Sequence, residues 1–572
     1  MQPSGTSPTG TATEIVLPLP TPQTVADWLA ELPLAHPERC LDALLALLRA
    51  LNAKPDLSGP ARLVLADTIR PRAAQLAGQI DTHSLDAALP YPPELAQRIE
   101  TTSQLRRELG NLYAYACPAS RSANSLWLGD ADPSLVALYR AFQHWGLALL
   151  DTARLYREPD PAFWPDLYRA YRLAEAQGAA SARFGDPGEP PACRTPLGQF
   201  KRILLFAMAD YGRYRQRDMR LIYRMLGEWA DHAAWEARPV IGEQLARFRL
   251  DLDSEHGPYR IRDDWMPAPS CRFLFIGRLI ERLLDKSPEQ RAKLATLGLN
   301  GHRLPTLLAK SLFGPAQRRS ERLPLHQPCQ LFIGFQELVA ALDPRPTHTK
   351  PRLKPVNAGR ADWLKAASRL ELLPMEHEVA EHPRQDERAL RADAVIERLL
   401  LDSSGCPRDE IWGAAAADRT GADPGTAGEL LNTDPHGYCV LLCDGGDPKL
   451  QAGSLVGIAE APHPPHISVI RWLAQRETGL RFGVELLSPS AESVALWDEL
   501  GHPQGKGLLL PPIAAVRAEP EILLPPTGFH AGVLLRLSGK TTHAGFHLGR
   551  LQEATASFSR FKLIPAPLEL AL

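Results

Sequence analysis

The sequence predicts an α+β chain: an N-terminal helical region, then an antiparallel β-barrel, then a second C-terminal β segment. Three observations predict it. From about Pro22 to about Leu312 the apolar residues recur at steps of three and four, the period of a helix with one buried face. From Asn432 to Ser488 short apolar runs alternate with Gly, Pro and Asp turns, the pattern of short strands. Beyond Gly507 about five more such runs follow, enough to close a second small barrel or to extend the first. A chain of 572 residues is too long for one hydrophobic core, so several domains are expected.

Taken in order, residues 1–13 are rich in Ser, Thr, Gly and Pro and read as a disordered tail. They have neither the basic start nor the apolar core of a signal peptide. Residues 14–312 read as a helical domain. Leu41, Leu44, Leu45, Leu48 and Leu51 form one stripe, and Leu135, Leu138, Phe142, Trp145 and Leu149 form another after Asp132-Pro133-Ser134. Thr195-Pro196 is a cap followed by Pro at the first helical position, opening a helix with Phe200, Ile203 and Leu204 on one face. Ile222, Met225, Leu226 and Trp229 make a further stripe. Phe163 to Glu175 suits one helix of a stacked helical-hairpin array, though an irregular helical domain accounts for it equally well.

Residues 313–343 change character. An Arg-rich arm, Arg318-Arg319-Ser320-Glu321-Arg322, precedes a strand at Cys329 to Phe335 and a short helix at Glu337 to Leu342. Residues 344–393 form a linker and a charged segment without periodicity. Residues 394–490 hold the barrel, entered through a short helix at Ala394 to Leu401. Residues 491–572 are read as a helix at Ala491 to Leu500 followed by a second small β domain, with strands around Leu508, Ile522, Val533, His543 to Leu551 and Phe558 to Ile564.

Composition excludes several classes. A net charge of −2 argues against a nucleic-acid partner and against a polybasic membrane patch. No apolar run approaches the ~20 residues of a membrane span. The eight cysteines are scattered without zinc-ribbon spacing, which fits a reducing compartment and a cytoplasmic address. Cys439 and Cys443 are four apart on one strand face and read as small core residues. His377 and His382 are five apart where a zincin pair needs four, and no nucleophile elbow or phosphate-cradling loop occurs. No metal, cofactor or enzymatic activity is expected.

The β stretch resembles the PilZ domain, a small bacterial barrel that typically binds cyclic di-GMP. Three segments carry the resemblance: Gly453-Ser454-Leu455-Val456-Gly457, Ile470-Arg471-Trp472, and Gly479 to Leu487 ending in Gly483-Val484-Glu485-Leu486. With its helical front end the chain is also similar to PilZ-type proteins of Gram-negative bacteria. The family carries an Arg-x-x-x-Arg arm before its first strand and an Asp/Asn-x-Ser-x-x-Gly turn. Arginine forks suit phosphates and guanine edges, and glycine permits close approach of a ligand. Here the turn reads Asn432-Thr433-Asp434-Pro435-His436-Gly437. Asn432 and Gly437 match, and Asp434 stands where Ser is usual, an anion beside the expected phosphates.

For the arm, Arg408 lies at the usual distance upstream, but Trp412 stands where its partner arginine belongs. Arg318 and Arg322 have the spacing but lie far upstream. Either the barrel is interrupted by an insertion at Gln336 to Asp393, or these arginines lead a separate β unit partnered with the C-terminal strands. The resemblance implies a ligand face of Arg318, Arg322, Arg408, Asn432, Asp434 and Gly437 for cyclic di-GMP, in a regulatory protein whose helical region meets protein partners. The alternative is a PilZ domain that has lost the nucleotide and serves as an interaction module on a helical scaffold.

Overall fold

The structure is a computed structural model that describes residues 17–84, 89–117, 133–184, 186–238, 247–260, 268–297, 303–313, 322–342, 425–443, 450–460, 463–513, 519–540 and 542–566. The expected tail at 1–13, the linker at 344–393 and the helix at 394–401 lie outside these residues. The chain divides into two compact units, one of Met1–Ala87 with Tyr91–Pro315 and one of Ala88–Pro90 with Ala316–Leu572.

The first unit is mainly helical: α1 (Pro22–Glu31), α2 (Pro37–Asn52), α3 (Gly59–Ser84), α4 (Pro93–Ala116), α5 (Pro133–Arg154), α6 (Phe163–Ala176), α7 (Pro196–Met208) and α8 (Gln216–Glu228). Proline explains many of the starts. It occupies the first turn of α1, α2, α4 and α7, where its missing N–H leaves no hydrogen bond unmade. Thr195 caps α7, its hydroxyl accepting from Gly198 N at 2.9 Å. The Leu41 to Leu51 stripe is buried on α2, and Phe142, Trp145 and Leu149 are buried on α5. Each helix packs on those one or two places along the chain: α1 on α3, α2 on α4, α3 on α4, α4 on α5, α5 on α7.

This unit is not exclusively helical. Strands β1 (Ala234–Glu236), β2 (Arg247–Asp251), β3 (Tyr259–Arg260) and β4 (Cys271–Phe275) form a sheet in the order β1-β4-β2-β3. Three helices follow, α9 (Gly277–Leu284), α10 (Pro288–Thr296) and α11 (Leu304–Phe313). The strands escape a helical-period reading because they are short. Their signal is Cys271, Phe273 and Phe275 alternating into one small core.

The second unit holds two closed antiparallel barrels. The first comprises β5 (Leu323–Ile333), β6 (Thr426–Asp434), β7 (Gly437–Leu442), β8 (Leu455–Ala459), β9 (His466–Arg476) and β10 (Gly479–Ser488), in the order β10-β7-β6-β5-β8-β9. Its first strand therefore lies outside the expected 394–490 boundary. Strand β5 pairs with β6 on one side and β8 on the other, not with the C-terminal strands. The row Leu430, Val440, Phe482 and Leu473 crosses four neighbouring strands and is buried inside.

Gly334, with φ of 92°, makes the left-handed turn from β5 into α12 (Phe335–Leu342). Phe335, Leu338 and Val339 of this helix join Leu455, Ile467 and Val469 of the first barrel to Leu508, Leu510, Leu523 and Phe558 of the second in one core.

The second barrel runs β11 (Glu492–Trp497), β12 (Pro503–Leu510), β13 (Glu521–Leu524), β14 (Leu534–Ser538), β15 (His543–Ala554) and β16 (Ser559–Pro565), in the order β11-β12-β13-β16-β15-β14. The helix expected at Ala491 to Leu500 is instead its first strand. Ala, Glu and Leu favour a helix locally, but Val494 and Leu496 point two apart into the barrel core, opposite Gly507 and Leu537. Tertiary pairing overrides the weak local preference.

An ionic seam also joins the barrels. In the β9–β10 ladder Trp472 faces Gly483 and Ile470 faces Val484, so Arg471 is the extra residue of a bulge. The bulge turns its guanidinium outward, to Glu485 at 2.6 Å and to Glu553 of the second barrel at 3.1 Å. Arg560 stands beyond, within 3.9 Å of Glu553. Glu553→Gln is expected to lower the stability of the two-barrel unit by about 1 kcal/mol at low salt and by less at high salt. Urea melts at two ionic strengths check this, and equal melts at both would show the seam to be energetically idle.

Candidate functional site

The outer wall of the first barrel gathers the sequence motifs on one face. Directly opposed residues of an antiparallel ladder share a face. The register places Pro324 against Asn432, Asn432 against Cys439, Cys439 against Gly483, and Gly483 against Trp472. Arg481, two residues before Gly483, faces the same way, as does Asp434, two residues after Asn432.

Asn432 to Gly437 is the hairpin between β6 and β7. Pro435 and His436 form its tip. The Asp434 carboxylate accepts from His436 N at 2.9 Å, an Asx turn. The Thr433 hydroxyl donates to Gly437 O at 3.3 Å across the base of the hairpin. A Cβ on Gly437 would collide with the Val484 carbonyl of β10, so this glycine lets two strands approach.

Arg322 immediately precedes β5, and its Nε lies 3.6 Å from the Asp434 carboxylate. The arm and the hairpin, about a hundred residues apart in sequence, are neighbours because β5 closes the barrel against β6. Of the alternatives open at the sequence level, the interrupted barrel is the one that forms. Arg318 and Arg408 lie outside the described residues, so Arg322, Asn432, Asp434 and Gly437 are the nominated residues that the structure places together.

Three further residues share the face. Burial holds the pKa of the Cys439 thiol above its ordinary value, and the nearby Arg322 and Arg481 guanidiniums offset part of that rise. Trp472 lies across Gly483 so closely that a Cβ on that glycine would fall inside the indole. Its indole thus forms a flat apolar wall next to the position of Arg481 on the same strand face. Two polar atoms here are buried without a hydrogen-bond partner, Asn432 Oδ1 and Arg481 Nε. An acceptor and a charged donor left open on one face invite a ligand with complementary groups. In the sequence Trp472 marks only the PilZ resemblance, and nothing there singles out Arg481. Their signal is the register alone, which aligns them with Asn432.

The closed six-stranded barrel with this hairpin, and Arg322 beside it, is the PilZ domain of the chain. Residues 275–493 match the family described as the middle PilZ domain of the cyclic-di-GMP receptor FimW. Residues 23–239 match the N-terminal domain of the same receptor, and residues 498–564 match its C-terminal beta-barrel domain. The cyclic-di-GMP receptor FimW of Pseudomonas aeruginosa is 25% identical, across 95% of this chain and 90% of that protein. No solved structure matches the chain. Among the described residues no helix is long and apolar enough to cross a membrane.

Proposed function

We propose that the chain is a non-enzymatic regulatory receptor that binds cyclic di-GMP on the outer face of its PilZ barrel. The observation that carries this reading is the meeting of Arg322 with the Asn432 to Gly437 hairpin, on a face with an open acceptor and an open donor. Each group has a chemical counterpart in the ligand. Asn432 Oδ1 accepts from the N–H groups of a guanine edge. Arg322 and Arg481 fork onto phosphate oxygens or onto guanine O6 and N7. The Trp472 indole gives a base a surface to stack on. Similarity to a named cyclic-di-GMP receptor over nearly the whole chain supports the same ligand.

Arg318, four residues before Arg322, completes the arm in this reading. Ligand engagement by Arg322 and Arg318 at the hairpin biases the state that partner proteins of the helical unit read.

Calorimetric titration of the full chain with cyclic di-GMP tests the proposal. Micromolar or tighter binding is expected, weakened about tenfold or more by Asn432→Ala and by Arg318→Ala. Absence of heat at high ligand concentration would sink it. It would favour the reading that Asp434 already suggests, a PilZ barrel that has given up the nucleotide for protein contacts.

A further inference from the structure

The hairpin of this chain departs from its family at one position, and the structure gives that departure a partner. Asp434 Oδ2 lies 3.6 Å from Arg322 Nε, while the other carboxylate oxygen accepts from His436 N at 2.9 Å. Both oxygens are engaged, one in holding the hairpin and one in holding the arm. The pair is half-exposed, with side-chain exposures of 35% and 21%, so neither group is locked in a dry interior. Such a pair is weak enough to be exchanged and strong enough to compete.

We infer that Asp434 is an internal competitor for the ligand phosphate: it occupies Arg322 in the free protein and sets the affinity of the site. This rests on the cyclic di-GMP reading above. In the free chain the Arg322 guanidinium already has an anion. A phosphate that claims the guanidinium displaces that carboxylate, and the displaced carboxylate remains anchored to His436 N at the edge of the site. Ligand entry therefore exchanges one ion pair for another, and the hold of the carboxylate on Arg322 is what the phosphate has to overcome. A serine at this position would leave the guanidinium free and carry no charge. The role of Asp434 is thus to raise the ligand concentration at which the receptor fills, and to keep Arg322 oriented while it is empty.

The geometry also supplies a clean test. Serine and asparagine both retain a side-chain oxygen able to accept from His436 N, so Asp434→Ser and Asp434→Asn keep the hairpin while removing the charge. Cyclic di-GMP is titrated calorimetrically into the full chain and into both variants. It is also titrated into Arg322→Ala, Asn432→Ala and the double variant Arg322→Ala with Asp434→Ser.

Both Asp434 variants are expected to bind about five- to tenfold more tightly than the parent chain. The gain is expected to shrink below about twofold when Arg322 is already alanine. Equal or weaker binding by Asp434→Ser and Asp434→Asn, while Asn432→Ala still weakens binding about tenfold or more, overturns this inference and leaves the receptor reading standing. A gain that persists in full without Arg322 also overturns it, because the carboxylate would then act by repulsion alone. Silence from the parent chain and both Asp434 variants removes the receptor reading and this inference together.

Discussion

Gly437→Ala is expected to destabilise the PilZ barrel by about 3 kcal/mol or more, the largest loss of any single methyl group added to this face. The added Cβ would press on the Val484 carbonyl, which belongs to the backbone of the neighbouring strand and cannot rotate aside. Gly437 opposes Glu485 in the β7–β10 ladder, and Leu486 N donates to His436 O at 2.6 Å just beyond. Relief would require the strands to part where that hydrogen bond closes the barrel. Chemical denaturation of the full chain followed by tryptophan emission would report the loss, since Trp472 lies on the same wall. A melt within about 0.5 kcal/mol of the parent would show that the wall yields freely and that the glycine is there for another reason. The motif glycine would then regain the ligand role that its sequence position suggests.

Arg322→Ala is expected to weaken cyclic di-GMP binding about thirtyfold or more without unfolding the barrel. Charge-assisted hydrogen bonds from arginine to phosphate are worth about 1.5–3 kcal/mol each, and this residue stands where β5 enters the ligand face. Its native partner is the half-exposed Asp434, so truncation strands no buried charge. The same calorimetry that tests Asn432→Ala reads the result, with circular dichroism confirming that the β signal is intact. Arg322→Lys separates charge from geometry. A point charge without the planar fork should recover only part of the lost affinity. Full recovery would mean that Arg322 contributes long-range attraction rather than a specific contact.

Much of the architecture is legible because its punctuation is local. Proline at helix starts and leucine stripes at the helical period mark α2, α5 and α7 without help from the rest of the chain. Strands β7, β9 and β10 announce themselves by Gly and Asp turns around apolar runs. The segment at Glu492–Trp497 misleads because its residues favour a helix, and only its pairing with β12 and β14 makes it a strand. The strands at 234–275 are too short to outweigh the helices around them.

The site divides along the same line. Asn432 and Gly437 stand out by motif spacing, and the close approach of β7 to β10 at Gly437 is visible only in the structure. Arg481 and Trp472 are silent in the sequence because alternation along one strand does not say which wall a ligand would use. Register across four strands says it. The tie between Arg322 and Asp434 was beyond local reading, since it depends on which strand β5 chooses as its neighbour.

The pairing of β5 with β6 has a kinetic meaning. Residues 334–425 intervene between the two strands. The entropy of bringing the ends of such a span together rises only with the logarithm of its length, about 0.6 kcal/mol for each doubling. Lengthening that interval is thermodynamically cheap, whereas joining its ends is a late, non-local event in assembly. Arg322 arrives with the early end and the hairpin with the late one, so neither half owns a recognition surface alone. Under the proposed function, the capacity to bind cyclic di-GMP is expected to emerge in refolding at the moment the ring shuts, so the nucleotide would report maturation of the barrel.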